Sequence, residues 1–229
     1  MRYKTSAMSF QIANKRQLSL TLILSVFLGC FLAYGFVPLS YRLFSWILGP
    51  VNQFGFPLLA LVFFISLPNV ATPVFSSFSI KRLLTLCVLP LVISVGFGAT
   101  KNIPLEMSSV PSLQWKPLIW AWLLGPLGEE LLFRGWVTSL LSRLNRNRFL
   151  GVAPLYPVSL WGTAIAFSIW HIQNFENGQL FFLIFQMVYT FFVGIWLGFI
   201  QWQTGRIWPC VLAHTLLNLA ADWKLWFML

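Results

Sequence analysis

Long apolar runs broken by short polar links set the pattern of this chain. A helix needs about 20 predominantly apolar residues to cross a hydrocarbon layer. The runs predict spans near 18–38, 54–76, 83–100, 117–141, 158–175, 180–202 and 206–223. The stretch 39–51 reads as an interfacial segment or an extra short span, which makes the count seven or eight. The expected fold is all-α, a polytopic transmembrane helical bundle. Pro154 and Pro157 delay the start of the fifth helix, and Pro209 stands at the start of the seventh, where its missing N–H costs least. No internal repeat is visible. The pattern divides the chain into a basic N-terminal segment 1–17, N-terminal transmembrane helices 18–116, a core 117–223 and a tail 224–229.

Composition strengthens the membrane reading. Of the 229 residues, 58% are hydrophobic and 9% charged, where a soluble domain carries about 25% charged residues. A water-soluble fold has no place to hide that much apolar side chain. The net charge of +10 comes from 15 basic and 5 acidic residues. Nucleic-acid binding is one source of such a balance, but here Lys and Arg sit in the links between apolar runs, where they orient spans and meet anionic lipid headgroups. The expected partners are therefore membrane lipids, with no nucleic acid.

With the N-terminus in the cytoplasm, the inside segments hold Arg2, Lys4, Lys15, Arg16, Lys81, Arg82, Arg143, Arg146, Arg148 and Arg206. The outside segments hold Arg42, Lys101, Lys116 and Lys224. That asymmetry follows the positive-inside rule. The first run, with its basic flank, reads as a retained span rather than a signal peptide. The localisation expected is an integral membrane protein with a cytoplasmic N-terminus. Cys30, Cys87 and Cys210 lie in or beside apolar runs without CxxC or Cys/His metal spacing, so neither a disulfide framework nor a zinc knuckle is expected.

Charge inside a bilayer costs roughly 2.5–3.5 kcal/mol per group at a helix centre, so the ionisable residues within apolar runs are the informative ones. The fourth run contains Glu129, Glu130 and Arg134, the fifth His171, and the seventh His214 followed by Asn218. Both histidines of the chain and two of its five acids are in this set. Glu130 and Arg134 are i and i+4 and can pair on one helix face. Glu129 is rotated away by about 100° and can point elsewhere. His214 and Asn218 share a face of the seventh helix, and His171 and Asn174 are neighbours at i and i+3. At 1.5 Å per residue, Glu130, His171, His214 and Asn218 lie about 12–20 Å from the inside ends of their spans, in one layer. Each group also has a plain structural use: the Glu130–Arg134 pair can fix helix packing, and a His or Asn can simply hydrogen-bond to a neighbouring helix. Glu129 is harder to explain that way, since it lies beside another acid without a second cation in its helix.

Three motifs carry a family resemblance. Glu129-Glu130-Leu131-Leu132-Phe133-Arg134-Gly135 resembles the EExxxR motif of the CAAX-protease and bacteriocin-processing membrane endopeptidases, the Abi or CPBP family. Phe167-Ser168-Ile169-Trp170-His171 is similar to its FxxxH motif, with Ser168 where many members have Gly. His214-Thr215-Leu216-Leu217-Asn218 is similar to its HxxxN motif, and Thr204-Gly205-Arg206-Ile207-Trp208-Pro209 resembles the run that commonly precedes it. The resemblance covers 117–222.

The resemblance implies peptide-bond hydrolysis in or at the edge of the membrane, on a membrane-associated peptide or protein substrate, in a prokaryotic inner (plasma) membrane. Glu129 would be the general base that activates water, a role suited to a desolvated carboxylate. His171 would help hold that water, and His214 and Asn218 would stabilise the oxyanion. Glu130 and Arg134 would support them. No cofactor is expected to be required. A divalent metal such as zinc, held by Glu129, His171 and His214, is the rival mechanism. Two other functions compete: a non-enzymatic immunity or peptide-binding membrane protein, and an ion or proton transporter, which intramembrane charges also mark. Against the transporter stands the lack of repeated halves.

Overall fold

The computed structural model describes residues 19–36, 39, 55–66, 79–100, 120–146, 156–174 and 180–226. Every regular element among them is helical, in agreement with the all-α expectation. Helix α1 is Ser19–Phe36, with a π-helical last turn from Leu32 to Phe36. Helix α2 is Gly55–Ser66 and α3 is Ile80–Thr100. Helix α4 runs through 120–146 in alternating π and α turns: Trp120–Leu124 (π), Gly125–Glu130 (α), Leu131–Val137 (π) and Thr138–Arg146 (α). Helix α5 is Tyr156–Trp170, tightening into a 3-10 turn over His171–Asn174. Helices α6 (Leu180–Thr204), α7 (Trp208–Ala221) and the short α8 (Trp223–Trp226) complete the chain.

Each of the seven expected spans has a helix overlapping its bounds. Of these, α1 and α6 are long and apolar enough to cross a membrane by length and composition. The apolar stretch of α3, Leu83–Ala99, and α7 are shorter. The second span is described only as far as Ser66, and of the segment 39–51 only Leu39 is described. The basic N-terminal segment and most of the links that carry the orientation signal also lie outside the described residues.

Local chemistry explains the turns that matter. Between α6 and α7 the chain reverses at Gly205, whose φ of 63° is cheap only for a residue without Cβ. Its N–H donates to the Gln201 carbonyl at 2.7 Å, closing the C-terminus of α6 as a left-handed cap does. Thr204 completes the turn: its hydroxyl donates to the Ile200 carbonyl at 2.8 Å and accepts the Arg206 N–H at 3.2 Å. Pro209 then sits in the first turn of α7, as expected. In α4 the wide π turn closes on the Phe133 carbonyl, which accepts the Thr138 N–H and also its hydroxyl, the latter at 2.8 Å. π turns of this kind gather at functional sites, and this one follows directly on Glu129 and Glu130.

Helix α5 packs along α6, α7 along α3, and α2 against α4. The α3–α7 contact is close enough that a Cβ at Gly98 would run into the Ala221 carbonyl. All three cysteines are free, as their positions in apolar runs implied.

Candidate active site

Arg134 is the largest of the fully buried side chains. Its Nε lies 3.1 Å from Glu130 Oε2, with both side chains sealed from solvent. Its Nη2 donates to the Gly194 carbonyl at 3.2 Å, and the guanidinium lies 4.7 Å from the centroid of the Phe167 ring, a cation–π distance. The Arg134 carbonyl accepts the Gln201 side-chain N–H at 2.6 Å. The ion pair expected from i,i+4 spacing is thus present, and α5 and α6 hold it on two further sides.

Glu130 has a second partner that spacing did not reveal. Its Oε1 accepts the N–H of His214 Nδ1 at 2.8 Å, an assignment that follows from the carboxylate's pairing with Arg134. Glu130 therefore bridges α4 to α7 and fixes the ring of His214. The other ring nitrogen, Nε2, faces Glu129 Oε2 at 3.7 Å, beyond direct hydrogen-bond range. The two adjacent acids have separated as expected: Glu130 is locked into a buried network, and Glu129 faces open space.

That space is a cavity of about 220 Å³. Glu129, His171, His214 and Asn218 all line it, while Glu130 and Arg134 stand behind the wall. His171 is reached at the point where α5 tightens. Its Nδ1 donates to the Phe167 carbonyl at 2.8 Å, since a carbonyl only accepts, and this leaves the lone pair on Nε2. The Phe167 ring meets both His171 and His214 edge-on, at 4.8 and 5.9 Å between centroids. One apolar residue of the FxxxH tract thereby spaces the two imidazoles. Ser168, in the same tract, donates to the Met187 carbonyl at 2.7 Å and ties α5 to α6.

A search of the sequence for ionisable groups in apolar runs passes over several residues of this wall. Asp222 lines the cavity and accepts the indole N–H of Trp122 at 3.0 Å. Its signal was legible, because it continues the His214, Asn218 row at i+4 and is the only Asp in the chain. Gln186, Tyr189 and Thr190 come from α6, where uncharged polar side chains in an apolar helix raised no flag. The side chain of Asn174 lies outside the described residues. Among the described residues no group of three His, Cys, Asp and Glu is placed as a metal site, and the Nδ1 bonds of the two histidines leave Nε2 of each ring outside those bonds.

This arrangement can polarise a water molecule between a carboxylate and an imidazole lone pair, with further polar groups facing them. No curated protein and no solved structure matches the chain. Residues 111–220 match the profile of the Rce1-like type II CAAX prenyl endopeptidases. The matched segment includes all three motifs and every residue of the Glu129–His171–His214–Asn218 wall. Over this segment the chain is similar to a family whose members are integral membrane proteases, in agreement with the resemblance that the three motifs carry.

Proposed function

We propose that the chain is an intramembrane endopeptidase that hydrolyses a peptide bond of a membrane-associated protein or peptide with a glutamate-activated water. The observation that carries this reading is the division of labour between neighbouring acids. Glu130 is spent on Arg134 and His214, whereas Glu129 lines a cavity together with His171, His214 and Asn218.

In this reading Glu129 takes a proton from water while the His171 Nε2 lone pair accepts that water's other hydrogen. The resulting hydroxide attacks the carbonyl carbon of the scissile peptide. The developing oxyanion accepts a hydrogen bond from the Asn218 amide, and one from His214 Nε2 when that ring carries both protons. Collapse breaks the C–N bond, and Glu129 returns its proton to the leaving nitrogen. The reading uses no metal, so activity is expected to survive chelation. It also assigns the chain to a prokaryotic plasma membrane, as the family resemblance implies, with a cytoplasmic N-terminus, which the distribution of basic residues between links supports.

The test is cleavage by protein reconstituted in liposomes. One probe is a farnesyl-cysteine peptide with three aliphatic residues after the cysteine, and the other is a mixed-sequence peptide library anchored by an N-terminal acyl chain. Glu129→Gln and His171→Ala are each expected to lower cleavage by about 10²–10⁴-fold while the helical circular dichroism of the protein is unchanged. Cleavage at wild-type rate in both folded variants would overturn the mechanism. Comparing the two probes tells whether a prenyl group or only a membrane anchor is needed.

A further inference from the structure

The cavity has two facing helical walls with the same spacing. Helix α7 contributes His214, Leu217, Asn218 and Ala221, at i, i+3, i+4 and i+7. Helix α6 contributes Gln186, Tyr189, Thr190 and Val193, again at i, i+3, i+4 and i+7. Of these two rows, the proposed reaction draws only on the first.

The polar groups of the α6 row are not equivalent. The Thr190 hydroxyl spends its proton on its own helix, at 2.9 Å from the Gln186 carbonyl and 3.2 Å from that of Met187. The Tyr189 hydroxyl is bonded to Ser94 of α3 at 2.6 Å, and its ring stacks on Phe97 at 4.5 Å. Both are therefore part of the scaffold. Gln186 differs: its side-chain Oε1 is shut off from solvent and accepts no hydrogen bond. A buried amide acceptor left unpaired is costly and rare. The cavity wall holds one other such oxygen, Glu129 Oε2, the atom to which the proposed reaction brings a water proton. Two orphaned acceptors on different walls of one cavity call for donors that arrive with the bound molecule.

We propose that Gln186 anchors the substrate backbone. Its amide accepts one peptide N–H, and a turn about its last, soft side-chain torsion aims it into the cavity. A side-chain amide has the donor and acceptor of a peptide group, so it pairs with an extended strand much as a neighbouring strand does. The peptide then lies between α6 and α7, with its scissile carbonyl toward Glu129 and His171. Recognition through the backbone is indifferent to side-chain identity and selective in one respect: a residue without an N–H, such as proline, is refused at the anchored position. This inference rests on the peptidase reading for its register, and on the unpaired Gln186 oxygen for its existence.

The experiment replaces each backbone N–H around the scissile bond in turn by an ester oxygen. The probe is the best-cut member of the acyl-anchored library, or its tightest-binding member if none is cut. Wild-type protein should lose about tenfold in kcat/KM at one position only, the value of one hydrogen bond. Gln186→Met should lose about the same on the all-amide peptide, mainly in KM, and nothing more on that ester. A binding arm repeats the series with Glu129→Gln by fluorescence anisotropy. Independent, multiplicative losses from Gln186→Met and from every ester would overturn the anchor while leaving the peptidase reading intact, as would an ester series without a sensitive position. Binding that depends on both Gln186 and one N–H, without cleavage by wild type, would overturn the peptidase reading and keep the anchor. Absence of peptide binding in every arm overturns the anchor.

Discussion

The interior enclosed by α4, α5 and α7 and the outward face of α3 and α6 reverse the arrangement of a water-soluble domain. Inside lie Glu130, Arg134, Ser94, Ser159, Thr163, Gln201 and His214, each buried. Outside lie Leu84, Val88, Leu89, Val92, Phe181, Ile184 and Phe192, with Leu89 68% and Phe181 85% exposed. Apolar patches on a soluble monomer rarely exceed a few hundred Å², and two helices of such side chains have no reason to face water. In lipid the cost falls on polar groups instead, so they are drawn together and made to satisfy one another. The difference teaches why the candidate site is where it is. The buried Glu130 and Arg134 lie where other helices supply their partners, and that place is directly behind the wall of the cavity.

The strongest way to break the comparison is to unbalance the interior. Arg134→Met leaves the Glu130 carboxylate buried with His214 as its remaining hydrogen-bond partner. Removing one partner of a buried pair costs about 3–5 kcal/mol. Most of the protein is then expected to lose its detergent-stable fold, read as a fall in the midpoint of chemical unfolding followed by Trp fluorescence. The double variant Glu130→Gln/Arg134→Met should recover part of that loss, because no charge is stranded. A single variant within about 1 kcal/mol of wild type would mean that the pair is exchangeable with lipid-like surroundings, and the contrast of inside with outside would fail.

Asn218→Ala probes the same interior through chemistry. Loss of one oxyanion donor typically costs about 10²–10³ in rate, roughly 2.7–4 kcal/mol. The loss is expected in kcat with the unfolding midpoint unchanged. A loss confined to KM would move Asn218 from transition-state stabilisation to substrate binding.

The legible part of this molecule was legible because lipid makes charge expensive. Glu129, Glu130, Arg134, His171 and His214 stood out against apolar runs, and spacing alone separated the free acid from the paired one. The start of the seventh helix could be read to within a few residues because proline marks it, at Pro209. What stayed hidden depends on tertiary contact. The bond from His214 to Glu130 joins residues 84 apart in sequence, and no periodicity encodes it. The π turns of α4 and the 3-10 turn at His171 are local rewindings that hydrophobic pattern does not distinguish from α-helix. Gln186, Tyr189 and Thr190 were overlooked for a different reason: uncharged polar groups cost too little in an apolar helix to announce a site.

The exterior is tested by the reverse substitution. Leu89 lies near the middle of α3 and points outward. Leu89→Arg at a lipid-facing midpoint should cost roughly 2.5–3.5 kcal/mol of insertion, seen as a reduced inserted fraction in a glycosylation-mapping assay, with Leu89→Ile as a silent control. On a surface facing water the same change would fall within about 0.5 kcal/mol, and the outer face would lose its assignment to lipid.

The smallest effect concerns the seam between the two regions. Ser168 stands three residues before His171, where many members of the resembled family have Gly, and its hydroxyl donates to the Met187 carbonyl. That carbonyl also lies 3.2 Å from the Thr190 hydroxyl, so removing Ser168 does not strand it. Ser168→Ala therefore deletes one hydrogen bond between α5 and α6 without exposing an unpaired group, a change worth about 0.5–1.5 kcal/mol. The ring of His171 is held by the Phe167 carbonyl rather than by Ser168, so the water-binding lone pair should keep its direction. The expected result is a lower unfolding midpoint with kcat/KM within about threefold of wild type, since a distance change at the imidazole would cost far more. A large fall in kcat with stability unchanged would place Ser168 in the chemistry, and would mean that polar groups on the α5–α6 seam serve the reaction rather than the packing.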